Sequence, residues 1–187
     1  MATAVQPFLG TYAADGVHSW FDFSVLFSGS RYRGRFGDVS AVLSTRDGEL
    51  SLAGAAWVES ISIAEPAHFR ERVLGPEFFD AADHPDVAFR SEAIRLDEEG
   101  TLLVEGELIV AGVAAPVIAG GTWSGPAESI GGAIRAGLEL ETVVDRRDFG
   151  FDWQMEVPTG DEVLGWDVTV EVGLALAAVR GEGVDDE

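Results

Sequence analysis

The chain has 187 residues, 33 acidic and 12 basic, the bases all arginine, for a net charge of −21. That field repels phosphate backbones and anionic headgroups, which argues against nucleic acid and anionic lipid surfaces as partners. The absence of cysteine removes any disulfide framework, thiol nucleophile or thiolate metal site, and no apolar run is long enough for a membrane-spanning helix.

The apolar fraction of 47% belongs to a globular protein, and no linker-like composition divides the chain, so one domain is expected. The start, "MATAVQPFLGTYAADG", has neither a basic segment nor an apolar core, so the expectation is a cytoplasmic location without a secretory signal. Residues 1–9 read as an N-terminal extension, 10–180 as the domain and 181–187 as a disordered acidic tail. The acidity itself reads as solubility, or adaptation to a salty or crowded cytoplasm.

Along the chain most segments have period two. "SWFDFSVLF" sets Phe21, Phe23, Val25 and Phe27 on one side, as a half-buried strand does. "RYRGRF" then alternates Arg31, Arg33 and Arg35 with Tyr32, Gly34 and Phe36, and reads as a strand with a solvated basic face. Asp47-Gly48 marks a hairpin. In the strand that follows, Leu50, Leu52, Ala56 and Val58 share a parity that changes near Ser60, which predicts a bulge or bend. Glu65-Pro66 opens the one helical signal, Phe69 and Val73 lie on one face of it, and Gly75-Pro76 stops it. "EFFDAAD" adds a short second turn.

Beyond Val87 the alternation resumes. Leu102, Val104, Leu108 and Val110 share a face, "AGVAAPVIAGGTW" is a strand punctuated by Gly and Pro, and Ile134, Ala136, Leu138 and Leu140 alternate with charged residues. The last strand sets Trp166, Val168, Val170, Val172 and Leu174 against Asp167, Thr169 and Glu171. Eight or so such strands, hairpin turns and one short helix describe an all-β fold, an antiparallel eight-stranded barrel with a helical cap. A barrel of that size is filled by side chains or holds one slender ligand. The apolar face mixes large residues (Phe21, Phe23, Phe27, Trp166) with small ones (Gly34, Gly54, Ala56, Ala136), and this mixture suits interdigitation and a tunnel equally.

Four stretches resemble the YceI-like family of lipocalin-like polyisoprenoid-binding proteins. They are "EPAHFRERVLGPEFFDAADHPDVAFRS", "GTYAADGVHSWFDFSV" with its His18-Ser19 pair, "VEGELIVAGVAAPV" through Gly106, Leu108, Gly112 and Pro116, and "TVVDRRDFGFDW" with Arg146 to Gly150. They run in order from about Gly10 to Leu176. The resemblance implies an elongated lipocalin-like barrel whose pore takes a polyprenyl chain, an isoprenoid quinone or a similar amphiphilic lipid, in a protein that binds rather than catalyses and is commonly a homodimer. Tyr12 stands where the family usually has Trp, Gly16-Val17 where it has Pro, Asp145 where it has Asn, and Phe27 or its neighbour where it has His. The exchange at Phe27 implies a more apolar interior there.

On that reading Phe21, Phe23, Phe27, Phe36, Phe89, Leu108, Leu140, Trp166 and Val170 are the inward candidates for ligand contact. No cofactor beyond a bound lipid is implied. His18, His68 and His84 have no ligand spacing and no nucleophile motif appears, so neither a metal site nor an active site is expected, and His84 with its neighbouring aspartates reads as structural. Phe78 and Phe79 read as part of a cap over one barrel end. The competing reading is a filled barrel without ligand that serves as a protein-interaction module. An enzyme built around His84 is a third, distant one.

Overall fold

A computed structural model describes residues 3–63, 66–154, 157 and 162–179. The tail expected at 181–187 and the Glu65 expected to open the helix lie outside the described residues.

The strands are β1 (Thr11–Ala14), β2 (Trp20–Phe27), β3 (Ser30–Phe36), β4 (Val39–Arg46), β5 (Glu49–Trp57), β6 (Asp86–Leu96), β7 (Thr101–Val110), β8 (Val113–Glu128), β9 (Ile134–Asp145) and β10 (Leu164–Ala178). Every pairing is antiparallel. In the order β1-β4-β5-β6-β7-β8-β9-β10, closed by β1 against β10, they form an eight-stranded barrel. The hairpin β2–β3 extends this ring from the other half of β10.

β1 and β2 are one strand interrupted. Both pair with the same edge of β10, through Ala14 opposite Leu176 and Trp20 opposite Gly173. Asp15 makes the break. Its carboxylate accepts from the Val17 N–H at 3.0 Å, and its carbonyl accepts from the His18 and Ser19 N–H groups, an Asx-type turn. After the break β1 is free to pair with β4, while β2 pairs with β3. The Asp47-Gly48 hairpin forms as expected, with φ of 52° and 85°, the type I′ geometry.

The parity read from the sequence sets the inside of the barrel. Leu102, Val104, Leu108 and Val110 of β7 are buried, as are Val39, Ala41 and Leu43 of β4 and Leu52 and Ala56 of β5. Three places depart from simple parity. The change of face near Ser60 is a bend, where β5 ends and Val58–Ser60 forms a 3₁₀ turn. Ile134, which shares the parity of Leu138, is 40% exposed at the first residue of β9, beside a shift in the β8–β9 ladder between Ser124 and Ala127. A further shift lies between Leu164 and Val168, against β2. It separates Trp166 from the regular alternation of Val168, Val170 and Val172.

Helix α1 (Ala67–Leu74) begins after Pro66 and ends before Gly75. Phe78 and Phe79 follow it in a turn and not in a helix.

Residues 3–9 cross the opposite end of the barrel. Ala4 bridges Asp97, the Val5 N–H donates to the Leu96 carbonyl at 3.0 Å, and the Thr45 hydroxyl donates to the Phe8 carbonyl at 2.9 Å. Phe8 is wholly buried, edge-on to Tyr12 and Trp123.

Candidate functional site

The barrel is hollow at one end and solid at the other. Beneath α1 lies a chamber of about 430 Å³ with almost entirely apolar walls. Phe21, Phe23 and Phe27 project into it from β2, Phe36 from β3, and Val168 and Val170 from β10. The cap supplies Phe69, Phe78 and Phe79, and the segment after β9 supplies Phe149, Phe151 and Trp153. These rings brace one another: Phe79 lies edge-on to Phe36 at 5.8 Å and to Phe151 at 5.4 Å, and Phe78 meets Trp153 at 5.4 Å. Edge-to-face contacts of this kind hold an aromatic wall in place without filling the space before it.

The chamber continues into a narrower throat of about 80 Å³, which shares Phe21, Val87, Leu108 and Val170 with it. The throat is aliphatic, walled by Ala41, Leu52, Gly54, Ala56, Ala119 and Leu140, with Phe89 beside them. Below it the interior is packed solid. Leu43, Leu102, Val104, Leu138 and Leu176 are buried there, with Phe8 beneath.

All the residues nominated from the sequence line the chamber or throat except Trp166. The Arg146 guanidinium lies over the Trp166 ring at 4.1 Å and that of Arg147 at 4.7 Å, so Trp166 is a platform for two cations and not part of the wall. The ladder shift before Val168 is what turns it out of line. The sequence reading missed the chamber wall after β9, although the spacing of Phe149, Phe151 and Trp153 is period two.

Among the described residues, Tyr32, His68 and Arg146 are the polar ones of the chamber lining. Burial pushes the Tyr32 phenol up from its ordinary value. Arg146 is 4% exposed. Its Nε donates to the Gly165 carbonyl at 2.8 Å, Nη2 to that of Leu164 at 3.2 Å and Nη1 to that of Phe151. Burial lowers its pKa, and the nearby carboxylates of Asp145, Asp152 and Glu162 oppose that shift. Three of its five N–H groups go to the backbone, where they tie the start of β10 to the aromatic segment after β9.

His84 is structural in its surroundings. Its N–H donates to the Asp80 carbonyl at 2.8 Å, and its ring lies against Gly112 where a Cβ would be 2.5 Å from Cε1. His18 donates through Nδ1 to Asp15 at 2.9 Å, and the Ser19 hydroxyl accepts from the Ala175 N–H at 3.1 Å. Among the described residues no three His, Asp or Glu side chains are grouped to hold a metal ion, and no helix is long and apolar enough to cross a membrane. Walls of this composition can hold hydrocarbon.

The family model described as YceI-like domain matches residues 12–176. A UPF0312 protein of Pseudomonas syringae pv. tomato is 26% identical over 176 residues, covering 91% of this chain and 90% of the relative. Among solved structures, Burkholderia cenocepacia BcnA superposes with a TM-score of 0.70 at 19% identity, over 89% of this chain and 99% of that one. A polyisoprenoid binding domain from Saccharophagus degradans, implicated in plant cell wall breakdown, superposes with a TM-score of 0.67 at 15% identity, over 90% and 98%. At these identities the two structures share the fold of this chain.

Proposed function

This chain belongs to the YceI-like family, and from that membership we propose that it is a non-enzymatic binding protein that carries an isoprenoid or similar amphiphilic lipid in its barrel. The observation that supports this most is the apolar chamber of about 430 Å³ opening into an aliphatic throat. Each methylene moved from water into such walls contributes about 0.8 kcal/mol, so a chain of modest length binds without polar contacts. The superposed Saccharophagus domain, described as polyisoprenoid binding, adds the class of ligand.

Phe21, Phe23, Phe27, Phe36, Phe89, Leu108, Leu140 and Val170 are the proposed contact residues. Trp166 leaves that set, because Arg146 and Arg147 occupy its ring.

The test is loading with geranylgeraniol, read by native mass spectrometry. Wild type takes up about one molecule per chain, the expectation for one small barrel. Leu140→Asp places a carboxylate in the throat, where burial without a partner is costly, and abolishes loading while circular dichroism remains that of a β-barrel. Equal loading by a folded Leu140→Asp protein would place the lipid elsewhere.

A further inference from the structure

We propose that the cavity is a blind cup with a fixed depth, and that the layer of Leu43, Leu102, Val104, Leu138 and Leu176 is a stop beyond which a longer isoprenoid chain gains no affinity. This rests on the lipid-binding reading and specifies the ligand of that same site.

The stop is made of aliphatic side chains with almost no accessible surface. Leu176 and Val104 are wholly buried, and Leu43, Leu102 and Leu138 nearly so. A tail that passed them would meet a second barrier. Phe8 fills the barrel axis beneath, edge-on to Tyr12 at 5.4 Å and Trp123 at 6.0 Å. The segment that carries Phe8 is fastened at two strands, β6 and β4. Val5 binds Leu96 on β6, and the Thr45 N–H at the end of β4 donates to the Gly10 carbonyl at 2.9 Å. Opening the base therefore requires undocking residues 3–10 and repacking a leucine layer. The other end is already hollow.

The depth follows from β10, whose inward residues record the descent. Val168 faces the chamber, Val170 belongs to both spaces, Val172 and Leu174 face the throat, and Leu176 is in the stop. The six steps from Val168 to Leu174, at about 3.3 Å each and inclined by about 40° to the barrel axis, descend about 15 Å. The part of the chamber beside Leu164 adds about 5 Å more. Four carbon–carbon bonds of about 1.5 Å, projected along an extended chain, give about 5 Å per isoprene unit. The cup holds about three or four units. A longer chain leaves its remainder in water or at the mouth, where it gains no burial.

A pore open at both ends would behave in the opposite way. Every added unit would enter apolar surroundings and strengthen binding by more than about tenfold, up to the length of the barrel. Geraniol, farnesol, geranylgeraniol and solanesol, offered singly and then as equimolar mixtures from one neutral detergent, separate the two by native mass spectrometry. Under the stop, occupancy rises from geraniol to geranylgeraniol, and solanesol gains nothing over geranylgeraniol in the mixture. Leu138→Ala and Leu102→Ala, taken from β9 and β7, each shift the mixture toward solanesol by about tenfold where folding is retained, the worth of one or two newly buried methylenes and the space beyond them.

Preferential loading of solanesol by wild type would overturn the stop and leave the lipid-binding reading standing. No loading of any prenol would overturn both. The wild-type series decides the question even if both variants fail to fold.

Discussion

Gly34 shows how single residues apportion the interior. It pairs directly with Phe23 across β2 and β3, and a Cβ there would lie 2.3 Å from Phe23 Cζ. The small residue makes room for the neighbouring ring, which then forms the chamber wall. Gly54 and Ala56, in contrast, face the throat itself. In the sequence both kinds are small residues on an apolar face. What separates them is the partner strand, which period-two spacing does not name. Asp15 is a second decisive residue. Hydrogen bonds from His18, from the Val17 N–H and from Arg135 hold its carboxyl down to about 2. Because the folded value is depressed, the stabilisation from this carboxylate is complete above the ordinary carboxyl range near pH 4 and vanishes as pH falls through about 2. Asp15→Asn therefore melts below wild type at neutral pH, and the two melting temperatures converge between about pH 4 and about pH 2. A gap of constant size across that range would mean that the turn geometry matters and the charge does not.

At the level of elements, strands were easier to read than their junctions. Alternation placed β2, β7, β9 and most of β10, and Pro66 and Gly75 marked the ends of α1, because each is a local consequence of backbone period or of a missing N–H. The departures are non-local. The ladder shift before Val168 is a matter of how β10 meets β2, and Arg146 stabilises it by donating to the carbonyls of Leu164 and Gly165 while holding Phe151 on its other side. The motif around Arg146 was visible in the sequence, but its role as a clamp between the start of β10 and the aromatic chamber wall was not. Replacing it with Met keeps the apolar stem and strands the carbonyls of Gly165 and Phe151, each of which costs about 1–3 kcal/mol when left buried without a donor, while Leu164 keeps its bond from Gln154 at 2.6 Å. Arg146→Met should lower stability to urea by about 3 kcal/mol or more. Arg146→Lys should recover only part of this, because one ammonium lacks the planar fork that reaches three carbonyls in different directions. Full recovery by Lys would reduce the clamp to a point charge.

The whole molecule carries its charge on the outside of a barrel whose inside is apolar. A net −21 on 187 residues leaves most carboxylates facing one another with too few arginines between them. The described pairs, such as Arg35 with Asp22 at 2.7 Å and Arg147 with Asp145 at 2.9 Å, are at the surface and contribute little each. Self-repulsion among the remainder opposes the compact state, and it acts over distances that salt controls. The screening length falls from about 30 Å at 0.01 M to about 10 Å at 0.1 M. The first distance spans the barrel, whereas the second leaves only neighbouring charges in touch. The melting temperature should therefore rise when sodium chloride is raised from about 0.01 M to about 0.1 M, and should change more slowly beyond that. Sodium sulfate at low concentration should act through ionic strength in the same way, which separates screening from the general strengthening of apolar burial that sulfate brings only when concentrated. A melting temperature that is flat, or that falls, over the first interval would mean that the local arginine pairs outweigh the long-range field. The acidity would then be a property of the surface with no part in stability.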